Sequence, residues 1–360
     1  MNRTIRTTLA AMTAVVMTAV GSLAADVASS EALPRVKVAS VRQVFHNGEH
    51  NAFTDLVRFK GKFYLTFRSC PDGHMVHPTA SIIILASDDA HRWRQVHRFR
   101  VPERDTRDPH FLVFRDKLFV YTGTWYSGPT ALARDDYDLN KHLGYAAWSE
   151  DGATWHSPIM LEGTFGHYIW RAAAFGGKAY LCGRRKTNFE MGARGEGKQV
   201  ESLMLESEDG LIWRKRAVFQ ETAGDETAFL FEPDGRVLAV GRRGSGPAQL
   251  LRSRPPYTRW DRKDLDRYIG GPLLVKWGDR YVVGGRKTIP GSGPKTSLCW
   301  LVGDRLHEFA ELPSGGDNSY PGFVEPAPGR ALVSYYSSHE RDASGKPITA
   351  IYLAELAVEE

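Results

Sequence analysis

The sequence predicts an all-β fold, a six-bladed β-propeller, from three observations. A hairpin pattern recurs six times: "GKFYLTFR" (61–68), "DKLFVYTG" (116–123), "GKAYLCGR" (177–184), "GRVLAVGR" (235–242), "DRYVVGGR" (279–286) and "GRALVSYY" (329–336). Each copy opens on Gly or Asp followed by Lys or Arg, as a tight turn requires, then continues with β-branched, aromatic and small apolar residues. A second motif, Ser-x-Asp-Gly-x-x-Trp, runs in phase with the first, and no amphipathic helix of useful length interrupts the strands. Four-stranded units repeated 44 to 61 residues apart arrange radially, as the blades of a propeller.

The elements follow in chain order. Arg3 and Arg6 precede an uncharged, apolar stretch from Thr7 to Ala25, with Ser22-Leu23-Ala24 offering a cleavage point. This predicts a secretory signal peptide over residues 1–25, hence a secreted or periplasmic protein. No other apolar run approaches that length, so no membrane span is expected in the mature chain. "RVKVASVRQVF" (35–45) is expected to supply the outer strand of the last blade, giving one domain over 35–360. Inner strands are expected to begin near residues 52, 108, 168, 226, 270 and 318. The second motif appears cleanly as "SEDGATW" (149–155) and "SEDGLIW" (207–213), without its Gly as "SDDAHRW" (87–93), and eroded as "SRPPYTRW" (253–260). Its Asp accepts backbone N–H bonds, its Gly takes a positive φ, and its Trp packs back on the blade. The motif is therefore structural, and its tryptophans belong to blade cores.

Composition excludes other classes. Of 47 basic residues two lie in the leader, against 42 acidic ones, an interspersed balance that does not predict nucleic-acid binding. Cys70, Cys182 and Cys299 are odd in number and widely spaced, with neither a disulfide framework nor a zinc knuckle. No cofactor is called for. "DGHMVHP" (72–78) offers either a metal site or, more commonly, a hydrogen-bonded His pair.

Propeller geometry places inner-strand starts and second-strand ends on one face and the hairpin turns on the other. The first face collects Asp55, Asp108, Trp170, Arg171, Glu226 and Tyr320 from inner strands. Second strands add Arg68, Arg184, Arg242 and Arg286 at one repeat position, and a loop adds Asp72 and His74. Charges converging on an axis need partners, and arginines with carboxylates there suit an acidic ligand.

On these residues the chain resembles the sialidase superfamily of six-bladed propellers, in which the Ser-x-Asp-Gly-x-x-Trp motif is the Asp box. "DETAFLFEPDGRVLAVGRR" (225–243) is similar to the segment carrying that family's activating Glu and a carboxylate-binding Arg. The resemblance implies Glu226 as base and Arg242 as clamp. "NSYPGFVEPAPGRALVSYY" (318–336) offers Tyr320 as nucleophile, and "FRSCPDGH" (67–74) offers Asp72 as acid/base with His74 beside it. A neutral Tyr activated by Glu avoids repulsion between an anionic nucleophile and a substrate carboxylate. The pattern departs at two clamp positions, which align near Ala52 and Lys295, leaving Arg68, Arg171 or Arg184 as substitutes. What the resemblance implies is an exo-glycoside hydrolase acting on a terminal, acidic sugar of a glycan.

A second reading rests on "TRDPHF" (106–111), which resembles the Arg-Asp-Pro motif of furanosidase-type propellers and assigns Asp55, Asp108 and Glu226 the catalytic roles. A uronate-directed lyase and a propeller that only binds glycans complete the alternatives.

Overall fold

Runs of alternating and continuous apolar residues, each ended by a Gly- or Asp-containing turn, form six antiparallel four-stranded sheets. The computed structural model describes residues 33–187 and 199–359, so the predicted leader lies outside the described residues. Each sheet is a blade, and in five of the six the strands run in chain order from the inside out. The inner strands are His50–Phe59, Arg104–Phe114, Tyr168–Phe175, Thr227–Phe231, Gly270–Trp277 and Asn318–Ala327, in blades I to VI. They begin within a few residues of the positions read from the repeat. The second strands, Lys62–Cys70, Lys117–Tyr126, Lys178–Lys186, Val237–Arg243, Arg280–Ile289 and Arg330–Ser337, return to the same face.

Blade VI takes its outer strand from the other end of the chain. Val36–Phe45 pairs antiparallel with Ala350–Val358, from Val36 opposite Val358 to Phe45 opposite Ile351. Arg42 on that strand pairs with Glu355 and donates to Ala90 O of blade I at 2.5 Å, so the closing strand also grips the next blade.

The two clean Asp boxes share one geometry. Asp151 Oδ1 accepts from Ala153 N and Thr154 N at 2.8 and 2.7 Å, and Asp209 Oδ1 accepts from Leu211 N and Ile212 N at 2.8 and 2.9 Å. In the copy without Gly, Asp89 makes the equivalent bonds and Ala90 adopts the left-handed φ of 59° itself. Each box glycine abuts a tyrosine of the preceding blade, Gly152 on Tyr64 and Gly210 on Tyr121. Blade V has a tight Val302–Arg305 turn where a box would stand. A groove of about 1030 Å³ remains there between blades IV and V, on the face carrying the turns, and neither Glu226 nor Tyr320 lines it.

The other face is shaped by a repeated irregularity. In blades I, II, V and VI the inner strand carries one extra residue at the same register, three residues of inner strand spanning two of its partner. The extra residues include Phe53, Asp108, Gly271 and Tyr320, with φ of 62, 49, 58 and 52°. Left-handed φ is costly for side-chain-bearing residues and persists only where packing enforces it. Here it turns Phe53 and Tyr320 onto one another.

The box packing generates a stability test. A Cβ on Gly152 would stand 1.9 Å from Tyr64 Oη, whereas one on Gly176 would meet nothing within 4 Å, and both residues have positive φ (76 and 56°). Gly176→Ala should cost about 1 kcal/mol from backbone strain alone. Gly152→Ala should cost about 2 kcal/mol more through the clash, read as the difference between their urea midpoints.

Candidate functional site

Glu226 stands immediately ahead of the blade IV inner strand, and Tyr320 sits at the bulge of blade VI. The Tyr320 hydroxyl donates to Glu226 Oε1 at 2.6 Å. Glu226 Oε2 accepts from Arg242 Nη1 at 3.1 Å and from Gly271 N at 3.0 Å. Gly271 is required there: its φ aims the N–H at Glu226, and a Cβ would lie 2.5 Å from the Tyr320 ring. Burial pushes the Glu226 carboxyl up, but Arg242, Arg184 and these hydrogen bonds outweigh it and hold the pKa below its ordinary value. Burial and the Glu226 charge push Tyr320 well above the ordinary phenol range. The pair therefore rests as carboxylate and neutral phenol.

Asp108 belongs to the same electrostatic group. Tyr168 donates its hydroxyl to Asp108 Oδ2, while Oδ1 is buried without a hydrogen-bond partner among the described residues. Burial, then the Glu226 charge, raises the Asp108 pKa to about 6.

The repeated arginines do two kinds of work. Arg68 is wholly buried, with Nε and Nη2 each 3.0 Å from the Asp105 carboxylate and further bonds on Gly73 O and Met75 O. It anchors a loop and joins blade I to blade II. Arg184 pairs with Asp225 and joins blade III to blade IV. Arg286 bonds Asp317 at 2.9 Å and joins blade V to blade VI. Arg242 bonds Glu226 in its own blade and approaches Asp225 at 3.3 Å. Arg184, Arg242 and Arg286 keep 19, 24 and 21 % of their side-chain surface exposed, which Arg68 does not.

Below Tyr320 the axis is plugged. Arg171 bonds Asp55 Oδ1 at 2.9 Å and Pro321 O at 2.6 Å, while Asp55 Oδ2 accepts from Phe111 N at 2.8 Å. Trp170 is fully buried between His110 and Tyr320, so it is core rather than a surface for a sugar ring.

The loop after the second strand of blade I forms part of the rim. His74 Nδ1 lies 2.8 Å from Asp317 Oδ2, and His50 Nε2 lies 3.0 Å from the same oxygen. The ligand atoms of this trio lie within 4.8 Å of one another, the span of a metal set. Two cations oppose a metal there, because Arg286 bonds Asp317 Oδ1 at 2.9 Å and Arg68 Nη1 stands 3.5 Å from His50 Nδ1. Asp72 is exposed and accepts from Thr79 Oγ1 at 2.5 Å; no interaction among the described residues ties it to Glu226 or Tyr320. Lys295 donates to Ser314 O at 2.7 Å; the guanidinium of Arg286 lies over the Tyr320 ring, 5.7 Å from its centroid.

The structure thus brings together Glu226, Tyr320, Asp108, Arg184, Arg242, Arg286 and His74. It sets Asp55, Arg171 and Trp170 beneath them, Arg68 behind the loop, and Asp72 and Lys295 on other partners. Sequence reading missed Phe53, Asp105, Tyr168, Gly271, Asp317 and Tyr268, whose ring lies 5.5 Å beneath the Arg242 guanidinium. One signal was available: His50, Asp105, Tyr268 and Asp317 each stand three residues before a bulge residue.

No protein-family model matches the sequence, and no curated protein matches it. Among solved structures the fold is similar to a protein of unknown function from Dyadobacter fermentans, with TM-score 0.74 and 19% identity over 91% of this chain and 100% of that one. It is also similar to Trypanosoma rangeli sialidase in complex with sialic acid, with TM-score 0.61 and 11% identity over 89% of this chain and 57% of that one. The phage phi92 endosialidase is similar at TM-score 0.60 and 9% identity, over 89% and 69%. This chain spans little more than half the length of the trypanosomal enzyme. At these identities the likeness establishes the six-bladed propeller fold.

Asp108 gives a pH-dependent stability test. Its pKa is raised on folding, so the folded state carries no penalty below the unfolded value, a growing one as pH rises from there to about 6, and a constant one above. Asp108→Asn should leave the melting temperature nearly unchanged at pH 4. At pH 7.5 it should raise stability by on the order of 2–3 kcal/mol, seen in paired melts.

Proposed function

We propose that the protein is an exo-acting glycoside hydrolase that removes a terminal anionic sugar from a glycan. The observation that carries this reading is the 2.6 Å hydrogen bond from Tyr320 to Glu226, beneath partly exposed arginines of blades III, IV and V. A neutral phenol next to an ionised carboxylate is a nucleophile and its base. As the Tyr320 oxygen bonds to the anomeric carbon, its proton passes to Glu226. A phenol in this role avoids the repulsion that a carboxylate nucleophile would meet at an anionic sugar. Arg242 and Arg286 flank Tyr320, where the substrate carboxylate would pair with them bidentately. Glu226 must then share Arg242, which shifts it toward accepting the proton.

The plug of Arg171 and Asp55 closes the funnel below, which favours a chain end over the middle of a polymer. Asp108, whose unpaired oxygen is buried, sets the charge of the floor through its repulsion with Glu226. The likeness to sialidases, one of them solved with sialic acid, supports an acidic sugar. At the first clamp position stands buried Ala52, next to Phe53. The substrate class proposed is therefore anionic terminal sugars at large. The furanosidase assignment is less favoured because both Asp55 oxygens are committed within the plug. The leader-like N-terminus supports action outside the cytoplasm.

A glycan screen read by product mass spectrometry tests the reaction: hydrolysis adds water, while a lyase leaves an unsaturated uronate absorbing in the ultraviolet. Glu226→Gln and Tyr320→Phe should each lower kcat by about 10³-fold with the fold retained. Turnover surviving both changes would overturn the assignment. Activity should also fall as pH drops through the Glu226 pKa, below its ordinary 4.5, because the base must be ionised.

A further inference from the structure

The geometry points to His74 as the general acid and base that serves the leaving group, with Asp317 as its positioning residue. This rests on the glycosidase reading above. A retaining displacement by Tyr320 needs a proton donor on the exit side of the sugar, facing the rim rather than the floor. Asp108 is 4 % exposed and lies with Glu226 on the floor, and the Asp72 carboxylate is turned onto Thr79. His74 meets the requirement. Its side chain is 47 % exposed at the rim, and its ring packs edge-on against Phe53, which in turn packs against Tyr320 (centroids 5.8 and 5.0 Å).

The loop is held as a catalytic group needs. Arg68 donates to Gly73 O and Met75 O, and Arg107 donates to His74 O and Met75 O, all at 3.0 Å. Three successive carbonyls are thus pinned by two buried arginines, themselves fixed by Asp105. Asp317 fixes the imidazole from blade VI through Nδ1, and Nε2 has no hydrogen-bond partner among the described residues. An imidazole oriented by a carboxylate through one nitrogen, with the other free, is the arrangement of a general acid–base.

The steps balance. Nε2–H of the protonated imidazole gives its proton to the departing oxygen as the glycosidic C–O bond breaks and the Tyr320 oxygen bonds to carbon. Glu226 keeps the tyrosine proton. Water then attacks the same carbon, yielding a proton to Nε2, while Tyr320 leaves and recovers its proton from Glu226.

The test uses two glycosides of the anionic sugar that the wild-type protein hydrolyses, one with a dinitrophenol and one with an alkyl alcohol leaving group. His74→Ala should cut the rate on the alkyl glycoside by at least about 10²-fold. With dinitrophenol it should keep a rapid burst of phenol, followed by slow turnover that azide accelerates. Asp317→Asn should show the same dependence on leaving group in milder form, which a general loss of folding would not produce. Equal losses on both substrates, or no loss, overturn the role of His74 while leaving the Tyr320–Glu226 assignment intact. If Glu226→Gln remains active on both, or no anionic glycoside is hydrolysed by the wild type, the hydrolase reading fails and this role with it.

Discussion

Buried cations on the axial face constrain the rest of this molecule. A guanidinium removed from water is tolerable only beside a carboxylate, and each repeat that ends its second strand on arginine has to find one. Blades I, III and V find it at the entrance to the next blade, in Asp105, Asp225 and Asp317. Each pairing fixes one blade against its neighbour, and the three together set the width of the funnel. Blade IV differs. With Asp225 already engaged by Arg184, Arg242 turns also to Glu226, and a structural habit of the repeat becomes an electrostatic setting for a base.

The same face concentrates unfavourable backbone. Four bulges at one register would be an odd defect in a sheet meant only to be stable. They place Phe53, Asp108 and Tyr320 in left-handed conformations at the axis, and they aim the Gly271 N–H at Glu226. The strain is borne where the chain has most cross-blade support, with the plug beneath and the arginine pairs around it. Strain of this sort belongs to sites that hold groups in positions an unstrained strand would not offer.

Blade number, strand order, the strand that closes the ring and the shared face of Glu226, Tyr320 and the arginines were legible in the sequence, because hairpin chemistry repeats locally. Partners were not. Nothing in "GKFYLTFR" shows that Arg68 is consumed by Asp105 while Arg286, at the same repeat position, stays partly exposed. That difference depends on which loop covers each arginine. Trp170 and Asp55 read as site residues because they stand near the starts of inner strands, yet Trp170 is buried between His110 and Tyr320 and both Asp55 oxygens are bonded within the plug. Asp72 and His74 are two residues apart in one loop, and only the fold shows that Asp317 reaches His74 from the far side.

Joining Val36–Phe45 to Ala350–Val358 also imposes an order on biosynthesis. Five blades can assemble as the chain emerges, since their strands are neighbours in sequence. The sixth cannot: its outer strand is made among the first and must wait until more than 300 further residues have been joined. During that wait "VKVASVRQVF" is an unpaired strand beside an open seam, a template for pairing with another copy. Lys37, Ser40, Arg42 and Gln43 interrupt its apolar residues, and the cation among them that later grips Glu355 and Ala90 is also a charge that keeps the waiting strand soluble.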